Sequence, residues 1–190
     1  MSGFASLRMI LGAALVGAAF PGTVLLSSPV NAQSAAAPAQ TVRLGPSGLP
    51  LPRFVSLKSS RVNSRIGPGV NYSVDWMYTK SGLPMEIVQE YDTWRRVRDA
   101  DGAEGWINQS LLSGKRTAIV APWQRGKEAT VNLLADPSQD ASIVAILEPG
   151  VMGTIKSCNG QWCEMTFAGH AGWISQSLLW GAYPGEKVKD

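Results

Sequence analysis

The side chains best suited to chemistry are few, and they lie near the C-terminal end of the sequence. His170 is the only histidine, and Cys158 and Cys163 are the only cysteines. A cysteine beside a histidine can act as a nucleophile, but a cysteine bonded to another one cannot attack. The same three residues lack the fourth ligand of a structural zinc site, and His170 stands in a glycine-rich turn where exposed polar residues are ordinary. We therefore predict no catalytic residue, no metal and no cofactor.

The two cysteines flank a short segment that contains Asn159-Gly160, a dipeptide typical of tight turns. Two arrangements are open. A two-residue turn places Cys158 opposite Gln161 and leaves Cys163 as a diagonal neighbour. A four-residue loop, Asn159 to Trp162, makes the cysteines face each other. Because a close pair in an oxidising compartment is more often a disulfide than two thiols, we expect a Cys158–Cys163 bond there.

Aromatic side chains are the stronger candidates for ligand binding. Alternation along residues 94–98 puts Val97 on the core side of a strand and Trp94 and Arg96 on the other side. An aromatic strip flanked by an arginine suits stacking on a sugar or a proline-rich peptide, with the guanidinium pairing a carboxylate. The alternative is that Trp94 only caps a loop. The candidate ligand-binding residues are Tyr72, Trp76, Tyr78, Trp94, Arg96 and Trp106.

Short strands must hold these side chains in place. From residue 53 onward, alternating apolar runs are separated by turns rich in glycine, proline and aspartate, and none of them has a helical pattern. Asp99–Gly102 is a strong hairpin signal, and Gly105-Trp106-Ile107 is the strand that returns from it. A single 3₁₀ turn is expected over residues 108–111. The predicted core of this first unit is Val62, Val74, Ile87, Val97, Ile107 and Leu112.

The sequence contains an internal repeat. Gly105–Leu112 recurs, almost unchanged, as Gly172–Leu179, and the residues upstream of the two copies also align. One small unit is therefore written twice. Units of about 60 residues are only marginally stable alone, which favours packing between the two copies. The predicted core of the second unit is Val131, Ile143, Ile146, Ile155, Met165 and Ile174.

Four segments of the first unit resemble the bacterial SH3-like domain, in the variety that occurs as tandem copies in exported proteins of Gram-negative bacteria. They are Val62–Pro68, Gly82–Ile87, Trp94–Asp99 and Gly105-Trp106-Ile107. The second unit is a looser match, since Leu134 stands where Arg65 does. The resemblance covers residues 53–181 and implies two small β-barrels without catalytic activity. Relatives of this kind serve as cell-wall or protein-binding modules.

The resemblance also bears on how a ligand would bind. SH3 domains that recognise polyproline use a tryptophan placed like Trp94 and an aromatic residue placed like Trp106. They add a proline and a tyrosine in the segment that matches residues 108–111 here. This chain has neither residue in that segment, nor in residues 175–178. Polyproline recognition of that kind is therefore not expected.

The N-terminal segment has the pattern of a secretory signal peptide. Arg8 precedes an apolar run from Met9 to Leu26, and Val30-Asn31-Ala32 supplies small residues before a cleavage site. A membrane anchor is the alternative, but Pro21-Gly22 interrupts the run. We expect cleavage after Ala32, no stable membrane anchor afterwards, and a periplasmic or secreted protein.

The predicted fold class is all-β, with two tandem small SH3-like β-barrels after the signal peptide and a flexible linker. The linker is expected because residues 33–52 are rich in alanine, proline, serine and glutamine. The expected bounds are a signal peptide at 1–32, a linker at 33–52, a first domain at 53–121, a second domain at 127–182 and a tail at 183–190.

The charge of the chain limits the classes of partner that we expect. The sequence has 17 Lys and Arg against 14 Asp and Glu, and its second unit is acidic. A nucleic-acid-binding protein usually carries a strong basic patch, so nucleic acid is not an expected partner. We predict a non-catalytic exported binding module for cell-wall peptidoglycan or an envelope protein. The alternative is a structural or interaction subunit of a periplasmic assembly without a small ligand of its own.

Overall fold

Residues 43–189 are described by a computed structural model, in which β-strands are the main regular elements. The expected signal peptide and the first part of the expected linker lie outside these residues, as does Asp190. The described residues all belong to one compact unit. None of their helices has the length and apolar character needed to cross a membrane.

The first barrel follows a small N-terminal hairpin. Its strands are joined by tight turns, and Gly82 and Gly102 adopt positive φ angles of 76° and 87° at two of them, which glycine tolerates without strain. The elements are β1 Arg43–Leu44, β2 Pro50–Leu51, β3 Arg53–Leu57, β4 Val62–Arg65, β5 Val74–Tyr78, β6 Pro84–Tyr91, β7 Trp94–Arg98, β8 Glu104–Asn108, a 3₁₀ turn Gln109–Leu111 and β9 Leu112–Ser113. The antiparallel sheet has the order β5-β4-β8-β7-β6-β3-β9.

The second barrel repeats this arrangement. Its elements are β10 Thr117–Val120, a 3₁₀ turn Pro122–Gln124, β11 Val131–Leu134, β12 Ile143–Leu147, β13 Met152–Asn159, β14 Trp162–Phe167, β15 His170–Ser175, a 3₁₀ turn Gln176–Leu178, β16 Leu179–Trp180 and β17 Lys187–Lys189. The order β12-β11-β15-β14-β13-β10-β16 matches the first sheet strand for strand, and β17 adds to β13. The predicted all-β SH3-like fold is confirmed.

Most of the predicted core is buried, with three exceptions at the sheet edges. The residues that are 5% exposed or less are Val62, Ile87, Val97, Ile107, Val131, Ile155, Met165 and Ile174. Leu112 is partly buried against the first core. Val74, Ile143 and Ile146 were predicted wrongly, since each is about half exposed or more. They lie on β5 and β12, which end their sheets and pair on one side only.

The barrel bounds differ from those expected at three places. Residues 43–52 do not form part of a flexible linker, because β1 and β2 pair and Leu51 enters the first core. Thr117–Val120 pairs with β13 and β16, so it starts the second barrel instead of ending the first domain. The expected tail contributes β17, whose Val188 enters the second core. These contacts are long-range, and local sequence pattern does not report them.

Each barrel is thus completed by a segment outside its repeat. The N-terminal hairpin packs against the first barrel, where Ser47 and Arg53 bind the buried Glu90 carboxylate at 2.6–2.9 Å. The C-terminal strand β17 lies on the second half of β13. The two additions stand at equivalent edges, since β6 and β13 are equivalent strands.

Aromatic rings join the two barrels. The Phe54 ring of β3 contacts Trp180 edge-on at 5.2 Å between centroids and Tyr183 at 4.7 Å. The Tyr183 hydroxyl donates a hydrogen bond of 2.8 Å to Glu86, and the Thr117 hydroxyl donates one of 2.7 Å to the main chain of Gly82. These contacts explain why the described residues form one unit instead of two.

Candidate functional site

The arrangement of the two cysteines, for which the sequence allowed two alternatives, is defined by the structure. Cys158 and Cys163 face each other across β13 and β14, and their sulfur atoms are bonded at 2.02 Å. The cysteines face each other, as in the second of the two arrangements, and the expected bond is confirmed. The strands themselves continue to Asn159 and Trp162, so only Gly160 and Gln161 connect them. Because both cysteines are bonded, neither can serve as a nucleophile. Among residues 43–189, no group of three or more His, Cys, Asp or Glu side chains is arranged to hold a metal ion.

The same cross-strand position carries a different bond in the first barrel. Glu90 pairs with Arg95 across β6 and β7 in the register that Cys158 and Cys163 occupy in β13 and β14. The Arg95 Nε atom lies 3.3 Å from the Glu90 carboxylate, and both side chains are buried. One barrel is therefore closed by an ion pair and the other by a covalent bond.

The predicted binding residues are divided between two faces of the first sheet. Ser64 and Val62 are buried on the inner face, and their cross-strand partners are Trp76 and Tyr78. Trp94, Arg96 and Trp106 follow the opposite parity, because Val97 and Ile107 are the residues of β7 and β8 that enter the first core. The sequence-based expectation of one strip joining Trp76 to Trp94 is not met.

On the outer face, the predicted residues are buried or already contact other side chains of the protein. Trp94 is only 9% exposed, and Arg96 pairs with Glu104 at 2.8 Å. Trp106 is half-buried and lies directly across the sheet from Arg96.

Tyr72 lies in the loop before β5 instead of on a strand. Its ring covers Gly67 so closely that a β-carbon at that position would come within 2.4 Å of the ring. Its main-chain carbonyl accepts a hydrogen bond of 2.6 Å from Arg65. Tyr72 therefore acts as a packing residue of this loop.

Trp76 and Tyr78 line a cavity of about 460 Å³ at the junction of the two barrels, which we name the Trp76 cleft. The cavity is within the range of small-ligand sites. Trp76 is 62% exposed, so its ring is free to stack on a ligand. The residues that complete the cleft are Leu83, Pro84, Met85, Asp99, Ala100, Asp101, Ala103, Ile119 and Arg125.

The cleft has charged groups of both signs. The buried Tyr78 hydroxyl donates a 3.0 Å hydrogen bond to Asp99, and burial together with the Asp99 charge raises the pKa of Tyr78 well above its usual value. Asp101 pairs with Arg125 of the second barrel at 2.9 Å. The arrangement can hold a polar ligand that carries an amino group near the carboxylates and a carboxyl group near the guanidinium.

Three charged residues of this cleft were not found from the sequence. Asp99 and Asp101 stand in a hairpin turn, where aspartate is favoured for backbone reasons alone; Asp99 indeed accepts bonds from the main chain of Asp101 and Ala103. Arg125 lies in the other barrel. No local signal connects it to Asp101, and only the packing of the barrels brings them together.

The second barrel opens a separate polar cleft of about 520 Å³ beside Trp162, the repeat counterpart of Trp94. Trp162 lies across the sheet from Ser175, and the cleft also receives Gln161, Ser177 and Gln139. Its lining contains no charged side chain. The second barrel therefore has a cleft beside Trp162, at the position that corresponds to Trp94 in the first barrel.

Comparison with known proteins identifies this architecture. A family model for the bacterial SH3 domain matches residues 58–114 and 127–181, which together make more than half of the chain. The chain belongs to the bacterial SH3 domain family. The resemblance inferred from the four sequence segments is thereby confirmed.

More distant similarities extend to larger proteins. The putative N-acetylmuramoyl-L-alanine amidase YrvJ of Bacillus subtilis (strain 168) is 19% identical over 130 residues, which are 65% of this chain and 24% of that protein. The structures of NlpC2 and NlpC1 from Trichomonas vaginalis are each 15% identical, with TM-scores of 0.31 and 0.29. They are matched over 70% and 67% of this chain, and 49% and 45% of theirs. The chain thus spans about a quarter of the curated relative.

Proposed function

We propose that this protein is a non-catalytic binding module of the cell envelope, and that it binds peptidoglycan through the Trp76 cleft. The bacterial relative is named for the N-acetylmuramoyl-L-alanine linkage of peptidoglycan. A disulfide persists in oxidising compartments and supports a location outside the cytoplasm. The bonded cysteines leave no thiol nucleophile among residues 43–189, so the Cys163–His170 pair that the sequence offered is not available for catalysis.

The observation that carries the proposal is the chemistry of the Trp76 cleft. Peptidoglycan joins sugars to short peptides that carry free amino and carboxyl groups. The exposed Trp76 ring provides a flat apolar surface, Asp99 and Asp101 attract an amine, and Arg125 attracts a carboxylate. A solvent-exposed ion pair such as Asp101–Arg125 contributes little to stability, so a ligand can replace it at small cost.

The test is a pull-down of the full protein on purified cell-wall sacculi. Wild-type protein is expected to sediment with the sacculi at low salt, and Trp76→Ala is expected to bind at least about tenfold more weakly, as alanine substitution of a central aromatic anchor does. Trp123→Ala is the matched control, since Trp123 is 51% exposed and does not line the cleft.

Two outcomes would contradict the proposal. Wild-type protein that stays wholly in the supernatant rules out binding to the wall and leaves the structural or interaction subunit as the function. Sedimentation of Trp76→Ala at the wild-type level, with its fold intact by circular dichroism, shows that the wall is bound at another site.

A further inference from the structure

A second and larger groove lies between the first barrel and the C-terminal strand. Its volume is about 800 Å³, and we name it the basic groove. The N-terminal hairpin forms one wall with Leu49 and Pro50, and Phe54 of β3 contributes to the lining. All three residues of β17 line the groove as well. It shares no lining residue with the Trp76 cleft.

The groove concentrates positive charge. Glu186 is its single acidic lining residue, whereas the whole chain carries a net charge of only +3. A cleft lined by one sign of charge focuses its field and raises the local concentration of opposite charges. The basic side chains that line the groove are Arg53, Arg95, Arg116, Lys187 and Lys189.

Part of this charge is already paired. Arg53 and Arg95 share the Glu90 carboxylate, at 2.6 and 3.3 Å. Arg116 binds Glu186 through two hydrogen bonds of 2.7 and 3.0 Å. None of the ion pairs among residues 43–189 includes Lys187 or Lys189. Within these residues, two carboxylates against five cations leave the groove electropositive.

The lysines stand on a strand with a free edge. β17 pairs with β13 through Ser157, Cys158 and Asn159, and no strand of the described residues pairs with its other edge. Val188 is buried in the second core, so Lys187 and Lys189 point away from it. Lysine on an edge strand discourages pairing with neutral or basic strands. The same charges attract an acidic one.

We propose that the basic groove binds an extended, acidic segment of a partner protein, which adds to the free edge of β17. Main-chain pairing gives such a complex its affinity, and alternate side chains give it specificity. Carboxylates of the segment meet the two lysines, while apolar residues between them meet Leu49 and Pro50, which are exposed on the wall of the groove. This site is separate from the Trp76 cleft and does not depend on peptidoglycan binding.

The probe is a fluorescent peptide of alternating glutamate and valine, capped at both ends, and binding to the full protein is followed by anisotropy. We expect it to bind at least tenfold more tightly than the same peptide with glutamine in place of glutamate. We also expect its affinity to fall as salt screens the charges. The absence of binding by the glutamate peptide at low salt would overturn the proposal.

Charge-reversal variants locate the site. Lys187→Glu together with Lys189→Glu should weaken peptide binding at least tenfold. Lys58→Glu with Lys80→Glu makes the same change in net charge at exposed positions outside the groove, and it should weaken binding less than twofold. Thermal unfolding checks that both variants are folded.

Two results would reject the site or the ligand class. Equal loss in the two double variants would mean that the peptide responds only to overall charge. An oligonucleotide of equal charge that binds as tightly as the peptide would show a general anion surface instead of a peptide site.

Discussion

The Glu90 carboxylate has four donor atoms close to it, two from Ser47 and one each from Arg53 and Arg95. Glu90 is 7% exposed and accepts hydrogen bonds from Ser47 and Arg53, with Arg95 also within ion-pair distance. Burial alone would raise the pKa of its carboxyl group. The bonds from Ser47 and the charge of Arg53 outweigh burial and lower the pKa from 4.5 to about 2. The ionised carboxylate is thus the form that fastens the hairpin to the first barrel.

The sign of this shift predicts how stability depends on pH. A lowered pKa contributes stability above about pH 4.5, and the contribution is lost as the pH falls towards 2, because the unfolded chain takes up the proton first. The pKa difference corresponds to about 3 kcal/mol. We expect the free energy of unfolding in urea to fall by up to this amount between pH 5 and pH 2.

Glu90→Gln should remove most of this acid-dependent loss and should be less stable than wild type at pH 7. Glu104→Gln is the control, since the Glu104 pair with Arg96 is partly exposed at the surface and such pairs contribute less than about 1 kcal/mol. An unchanged pH profile in Glu90→Gln would show that other groups control the acid response.

At the scale of the element, the hairpins β6–β7 and β13–β14 are held together at equivalent positions by different bonds, an ion pair in the first and a disulfide in the second. Both place two residues opposite each other beside an additional segment. That segment is the separate two-stranded hairpin in the first barrel and the paired strand β17 in the second. In the first hairpin, the Glu90 carboxylate also binds Ser47 and Arg53. In the second hairpin, Cys158 of the disulfide also pairs across the sheet with Val188 of β17.

This equivalence predicts that the ion pair can be replaced by a disulfide. Glu90→Cys with Arg95→Cys should form a second bond on air oxidation, because the Cα atoms occupy the register that is 4.1 Å wide at Cys158–Cys163. Intact mass and peptide mapping without reductant would detect it. The single variant Glu90→Cys should give one free thiol with a thiol reagent after unfolding, since position 90 is buried in the folded protein. Free thiols in the oxidised double variant would contradict the equivalence of the two hairpins.

The fold could be predicted from the sequence because its signals are local. Asp99–Gly102, the strand at Gly105-Trp106-Ile107 and their repeat fix turns and alternation within a few residues of each other. The Cys158–Cys163 bond is equally local. By contrast, Ser47 meets Glu90, and Asp101 meets Arg125, only after the chain has folded. The charged half of the Trp76 cleft therefore could not be predicted.

Strand alternation also failed where its physical basis is absent. It identifies a buried face only if something covers that face. On the edge strand β12, Ile146 lies across from the exposed Asn132 and faces outward, whereas Leu147 faces inward and is buried. Trp76 follows the inner parity of β5 but is 62% exposed at the same kind of edge. Trp76 is therefore open to solvent because, among the described residues, β5 has no neighbouring strand on that side, and this exposure makes the ring available to a ligand.

At the scale of the whole molecule, Phe54 makes the aromatic contacts that join the two barrels. It is 6% exposed and contacts Trp180 and Tyr183, and the Arg116 guanidinium lies 5.9 Å from its ring centre. Aromatic pairs of this kind add stability beyond the area they bury. The barrels are consequently expected to unfold together.

Phe54→Ala should cost about 3–5 kcal/mol, as removal of a buried phenylalanine does. It should also divide the single unfolding transition of the wild type into two, measured by calorimetry. Tyr91→Ala, which truncates a residue that is 60% exposed, should leave a single transition. A Phe54→Ala protein that still unfolds in one sharp step would show that other contacts couple the barrels.

The uncovered edge of β12 has a consequence for handling the protein at high concentration. Ile143–Leu147 is an uncharged, β-branched run with no proline, and Ile143, Val144 and Ile146 are all exposed. Such a segment on an unpaired edge is a template for intermolecular strand pairing and amyloid-like growth. Val144→Lys should suppress aggregation on prolonged warming, measured by light scattering, and should leave the unfolding temperature nearly unchanged. Aggregation at the wild-type rate would place the nucleus of self-association elsewhere.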